Sequence, residues 1–180
     1  MAKSERKGRG TSKTHTSWHV AVAAEATAAA QFARCGVDVS VQYGANQPEY
    51  DLMVSDGERV LKVSVKGSVT GSWGLTQSYL KQANYHAAVD AWLARHRPRT
   101  ILCFVQFRGT AFSELPRLYL ARPREVAKRL KETANGRGDT ILFERKEWAR
   151  HAHAAGYIDE IPRRWVFTPE RLKVLLARPR

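Results

Sequence analysis

One stretch limits the possible folds of this chain more than any other. Residues 51–66 read DLMVSDGERVLKVSVK, the pattern of two short strands around a tight turn. Ser55 to Glu58 supplies the turn, because Gly57 beside Asp56 accepts the positive φ that a hairpin needs. In the second strand Leu61, Val63 and Val65 alternate with Lys62, Ser64 and Lys66. That period of two sends an apolar set to one face and a polar set to the other. Asp51 opens the first strand and Lys66 closes the second. A hairpin brings such ends together, so an acid and a lysine share one corner of a sheet. That corner suits a divalent cation and a phosphate.

The flanking segments extend the pattern. Thr16 or Ser17 can cap a helix running to about Cys35, and Gly36 can end it. Glu25 sits in this helix with Ala21, Val22, Ala28 and Ala29 one turn away. A carboxylate on an apolar stripe is costly to bury unmet. Glu25 is therefore either a metal ligand, or a group behind the ligands, or a residue at the rim that reaches water. Val37 to Tyr43 alternates as a strand, and Pro48 marks a loop over 44–49. After the hairpin, residues 67–74 form a glycine-rich polar loop whose N–H groups and hydroxyls can touch phosphate. It lacks the spacing of a nucleoside-triphosphate loop. Trp73 within it belongs to the core or stacks on a base.

Residues 76–96 carry Tyr85, Val89, Trp92 and Leu93 on one helical face. Gln77, Lys81 and Asn84 fall on another. The apolar run from Thr100 to Phe107 predicts a strand in the middle of a sheet. A short strand is expected over 117–121, a helix from Pro123, a turn over 135–139, a strand over 140–143 and a last helix from Thr168 or Pro169. Segment 145–165 has no clear period. His151 and His153 lack a third ligand of the usual type.

Charge narrows the function. Thirty Lys and Arg against seventeen Asp and Glu give a net charge of +13 and a pI near 10.2. Such an excess points to polyanionic partners, nucleic acid first, with solubility alone as the other reading. Residues 1–16 read as a flexible basic arm, either lying along a phosphate backbone or a terminus without a role. Residues 17–180 form a single domain, with a core over 17–107 and further strands and helices over 108–180. Cys35 and Cys103 form no paired motif, which fits a reducing cytoplasm. No stretch is long and apolar enough to span a membrane.

A helix bearing Glu25, a strand, Asp51 on a hairpin, then Val65-Lys66, then helix and strand resembles the PD-(D/E)XK nuclease superfamily. The likeness covers roughly residues 17–107 and looks closest to its small resolvase-like and unassigned bacterial members. It implies an α/β fold of restriction-endonuclease type, a mixed central sheet flanked by helices. It also implies that Asp51 and Glu25 bind Mg2+ (or Mn2+), with the Val65 carbonyl as a neutral ligand, and that Lys66 handles the attacking water. Two departures stand out. Tyr50 precedes Asp51, so the Pro-Asp pair is not literal. Ser64 occupies the place of the triplet's acid and brings no charge, although its hydroxyl can ligate a cation or hold a water.

The expected function is metal-dependent hydrolysis of DNA phosphodiester bonds, with Asp51, Lys66, Ser64 and Glu25 at the reacting centre. Lys62, Gln77, Lys81, Arg163 and Arg164 are the expected contacts to duplex or branched DNA, aided by Arg171, Lys173 and Arg178. A homodimer is compatible with this reading; a nucleotide cofactor and a membrane are not part of it. Two alternatives stay open: a DNA-binding module on the same fold that has lost catalysis, and a basic RNA-binding protein of other ancestry.

Overall fold

The computed structural model describes residues 16–42 and 50–177. The expected basic arm up to Thr16, the loop over 44–49 and Arg178 lie outside the described residues, except for Thr16 itself. The elements run α1 (Ser17–Arg34), β1 (Asp38–Val41), β2 (Leu52–Ser55), β3 (Val60–Ser68), β4 (Ser72–Gly74), α2 (Tyr85–Leu93), β5 (Thr100–Gln106), β6 (Arg117–Ala121), α3 (Pro123–Glu132), β7 (Ile141–Phe143), β8 (Arg145–Glu147), β9 (Ile158–Glu160) and α4 (Pro169–Leu176). Short 3-10 turns occupy Gln77–Tyr79 and Arg163–Trp165.

A five-stranded mixed sheet in the order β1-β2-β3-β5-β6 forms the middle layer. The hairpin is present as the sequence predicts: β2 and β3 pair antiparallel, Leu52 opposite Val63 and Ser55 opposite Val60. β3 pairs parallel with β5, Lys66 opposite Phe104, and β5 pairs antiparallel with β6. Parallel neighbours need a long crossover, and here β4 and α2 supply it. β5 is buried along its whole length, as its unbroken apolar run requires.

The alternation of β3 divides two cores. Leu61, Val63 and Val65 pack with Ala24, Ala28 and Phe32 of α1 and with Leu172, Leu175 and Leu176 of α4. On the other face Leu102 and Phe104 pack with Val89 and Trp92 of α2 and with Val126 and Leu130 of α3. The four helices thus cover both faces of the sheet.

Local chemistry explains the helix ends. The Thr16 hydroxyl accepts from the His19 N–H at 3.4 Å, and the His19 ring accepts from the Thr16 N–H at 3.3 Å, closing a reciprocal cap. Gly36 ends α1 at φ +77°. Thr168 caps α4 by accepting from Arg171 N–H at 3.1 Å.

Three expectations are corrected. The helix expected over 76–96 starts only at Tyr85, because Gln82 and Ala83 take positive φ of 49° and 57° and Asn84 caps by accepting from Ala87 N–H at 3.0 Å. Gln77 and Lys81 therefore precede the helix and share no face of it. The strand expected to stop at Lys66 continues to Ser68, because Gly67 and Ser68 still pair with Val105 and Gln106 of β5. The strand expected over 37–43 is β1, Asp38–Val41, with Gln42 beyond it; Tyr43 lies outside the described residues. Segment 145–165, without a period in sequence, holds the β8–β9 hairpin. Trp73 takes the core alternative, buried against Phe104 with ring centroids 5.2 Å apart.

Candidate active site

A cleft of about 580 Å3 opens where the N-terminal half of α1 crosses the end of β3. Glu25 from α1, Asp51 at the head of β2, and Val65 and Lys66 from β3 line one part of it. Ser68, Thr70, Ser72, Trp73 and Gly74 line the rest.

Helix and strand meet closely because both surfaces are small. A Cβ on Gly67 would stand 2.8 Å from the Ala24 Cβ and 2.8 Å from the Val20 carbonyl oxygen. Only glycine lets α1 approach this near. Ala24 is fully buried and Glu25, the next residue, is half-buried at the edge of the contact. That step along the helix turns the carboxylate from the core toward the cleft.

Asp51 is fixed at two points. Its backbone N–H donates to the Val63 carbonyl at 2.8 Å, and its Oδ2 accepts from the Val65 N–H at 2.6 Å. A bond to an ionised acceptor is short and strong. In a strand the N–H and C=O of one residue point to the same side. The Val65 carbonyl therefore faces the side where Asp51 stands, while the Val65 side chain is buried. Lys66 is exposed, and its carbonyl accepts from the Trp73 indole N–H at 2.8 Å. That bond ties β3 to β4.

The Glu25 carboxyl senses its surroundings and the two other charges. Burial pushes the Glu25 carboxyl above its ordinary range, the Asp51 charge pushes it further, and the Lys66 ammonium partly opposes both. Two acids and a lysine thus line one cleft, Asp51 and Lys66 from the hairpin and Glu25 from α1. Among the described residues no group of three or more His, Cys, Asp or Glu side chains stands together.

Ser64 does not join them. It is buried at 6% exposure opposite Leu102 and is not part of the cleft lining. Lys62 is half-buried, its Nζ 4.8 Å from the centre of the Tyr50 ring. Gln77 reaches the rim: its amide lies where a Cβ on Gly74 would be. Lys81 is exposed in the turn before α2. Arg163 and Arg164 are exposed in the segment whose Val166 bridges Tyr119 on the outer side of β6, and so lie more than two strand spacings, roughly 10 Å, from β3. Arg171 is taken up by the fold: it donates to Glu125 Oε2 at 2.6 Å and to the Leu120 carbonyl at 3.1 Å. The expectation of a backbone contact from Arg171 is corrected on that ground. Sequence reading missed the Gly67 contact and the Trp73 clamp. Their only trace is a glycine directly after Lys66 and a tryptophan seven residues on.

Comparison with protein-family models, with curated proteins and with solved structures finds no match.

Proposed function

We propose that the chain is a metal-dependent endonuclease acting on DNA, built on a restriction-endonuclease-like sheet. One observation carries this reading: Glu25, Asp51 and Lys66 line the same cleft at the end of the hairpin. The sheet order supports it too, with an antiparallel hairpin joined through a helical crossover to a parallel central strand.

The donor set fits a hard cation. Mg2+ is held by one or two carboxylates, with waters and substrate phosphate completing its shell. Asp51 keeps Oδ1 for this purpose while Oδ2 accepts from Val65. Glu25 offers the second carboxylate and the Val65 carbonyl a neutral oxygen. When bound, the cation supplies Lewis-acid stabilisation of charge developing on the phosphoryl oxygens. Lys66 donates a hydrogen bond to the attacking water or to a non-bridging phosphate oxygen, placing a positive charge where negative charge grows. The Asp51 charge attracts the Lys66 ammonium, and its bond from the Val65 N–H ties it to the strand that carries Lys66. The +13 charge holds the backbone and makes binding steeply salt-dependent.

A second reading keeps the DNA and drops the chemistry. It is favoured by Ser64, a neutral, buried residue where the resemblance calls for an acid. Nicking of supercoiled plasmid with Mg2+ or Mn2+, beside a gel-shift assay, separates the two. An active parent silenced by Asp51→Asn and by Lys66→Met supports the nuclease. Salt-sensitive binding by a parent silent with either metal supports the binding module. Cleavage that survives both substitutions removes the reaction from this cleft.

A further inference from the structure

We infer that Ser68, Thr70 and Ser72 form a neutral row of hydroxyls that donates, through Thr70, to the DNA phosphate next to the one attacked. This rests on the nuclease reading of the same cleft and adds the residues that position its substrate.

All three side chains line the cleft beside Lys66. Ser68 Oγ and Thr70 Oγ1 are 3.3 Å apart, and Thr70 Oγ1 and Ser72 Oγ are 3.4 Å apart. Ser68 Oγ also accepts from the Thr70 N–H at 3.1 Å. Each hydroxyl has one proton to donate. Two contacts among three hydroxyls use two protons. With Ser68 and Ser72 both donating to Thr70 Oγ1, the remaining proton is that of Thr70, the exposed one of the three; it has no acceptor among the described residues, and the cleft is where an acceptor can come. No acidic side chain belongs to the row, so it does not repel an anion.

Three carbonyls of the backbone behind the row are engaged. Phe107 N–H donates to the Ser68 carbonyl at 2.8 Å, and Glu144 N–H donates to the Gly71 carbonyl at 2.9 Å. The Arg108 guanidinium donates to the Thr70 carbonyl at 3.2 Å. Gly71, at φ +91°, leaves room for it: a Cβ there would stand 2.9 Å from the Arg108 Nη1. The segment is thus braced from outside, and its hydroxyls are held facing inward before any ligand arrives. Pre-organised donors lose little on binding.

Neutral donors predict a signature that cations cannot give. A lysine or arginine on phosphate releases a counterion, so its loss lowers the salt slope by about one. A hydroxyl on phosphate releases none. The experiment measures the dissociation constant of the full chain for a duplex oligonucleotide, without divalent metal, over a series of salt concentrations. Thr70→Val keeps the shape and deletes the donor at an exposed position. It is expected to weaken binding about fivefold at every salt concentration, the loss of one hydrogen bond, with the parental slope. Thr70→Ser is expected to bind as the parent does. Lys66→Ala is the contrast, lowering the slope. Parental affinity in Thr70→Val overturns the row and leaves the nuclease reading standing. A changed slope in Thr70→Val also overturns it. A parent that binds no duplex overturns both.

Discussion

The Asp51 carboxylate accepts a 2.6 Å hydrogen bond from the backbone N–H of Val65, fourteen residues later in the chain. The first acid of the cleft and the strand that presents Lys66 are therefore one unit. The pairing separates two roles of Asp51, as an acceptor in the fold and as a charge in the site.

Those roles can be tested apart. Asp51→Asn keeps an oxygen for the Val65 N–H and loses the charge. It is expected to melt within a few degrees of the parent and to lose metal binding and cleavage. Asp51→Ala leaves the N–H without its acceptor and is expected to cost about 1–3 kcal/mol as well. Urea unfolding and plasmid nicking on the same preparations check this. Equal stability of Asn and Ala variants would show that the hydrogen bond contributes nothing.

Gly67→Ala probes the helix contact. Its Cβ would press on the Val20 carbonyl and the Ala24 methyl, both 2.8 Å away. α1 must shift or tilt. The expected cost is about 1–3 kcal/mol by overpacking, and Glu25 moves with the helix. Cleavage should fall by more than the loss of folded protein explains, measured at a temperature where the variant is fully folded.

The raised Glu25 carboxyl sets a pH dependence. The folded chain holds this proton more tightly than the unfolded chain does. Its contribution to stability is therefore largest in acid and declines as pH rises from the ordinary glutamate value through the raised one. Glu25→Gln should flatten stability over that window, followed by thermal melts. Metal must displace the same proton, so Mn2+ affinity of the parent should climb with pH across the window and that of Glu25→Gln should not.

Ser64→Glu asks whether a missing charge limits the chemistry. The position lies between Lys62 and Lys66 on one strand face and is almost closed to solvent. Ser64 itself lies outside the cleft lining, and a glutamate extends further along the face it shares with Lys66, which lines the cleft; a carboxylate brought in that way is expected to raise Mn2+ affinity and cleavage while lowering the melting temperature, because burying the acid costs stability. Calorimetric metal titration and plasmid nicking read both. A fully stable variant with parental metal affinity would place the new side chain away from the cation.

Asp159 provides a contrast outside the cleft. Burial raises its carboxyl, but bonds from the Ala134 N–H, the Trp148 indole and Arg129 outweigh this and hold it below the ordinary range. Its contribution to stability should be full above the ordinary aspartate range and be lost progressively as pH falls from that range through the lowered value. Acid unfolding of Asp159→Asn against the parent checks this, with cleavage per folded molecule unchanged.

The hairpin, the buried strand β5 and the last two long helices were legible in sequence because their signals are local. Alternation, a turn glycine, a proline at a helix start and an apolar run act within a few residues. The meeting of Asp51 and Lys66 followed from the hairpin for the same reason. Tertiary structure decided the rest. Only packing of α1 through Ala24 onto Gly67 brings Glu25 beside Asp51, and no sequence period records a contact across some forty residues. Only parallel pairing with β5 carries β3 past Lys66 to Ser68 and turns a supposed loop into a braced row of hydroxyls. The burial of Ser64 against Leu102 is likewise a matter of neighbouring strands. Local chemistry names the charged groups, and long-range packing decides which of them share a cleft.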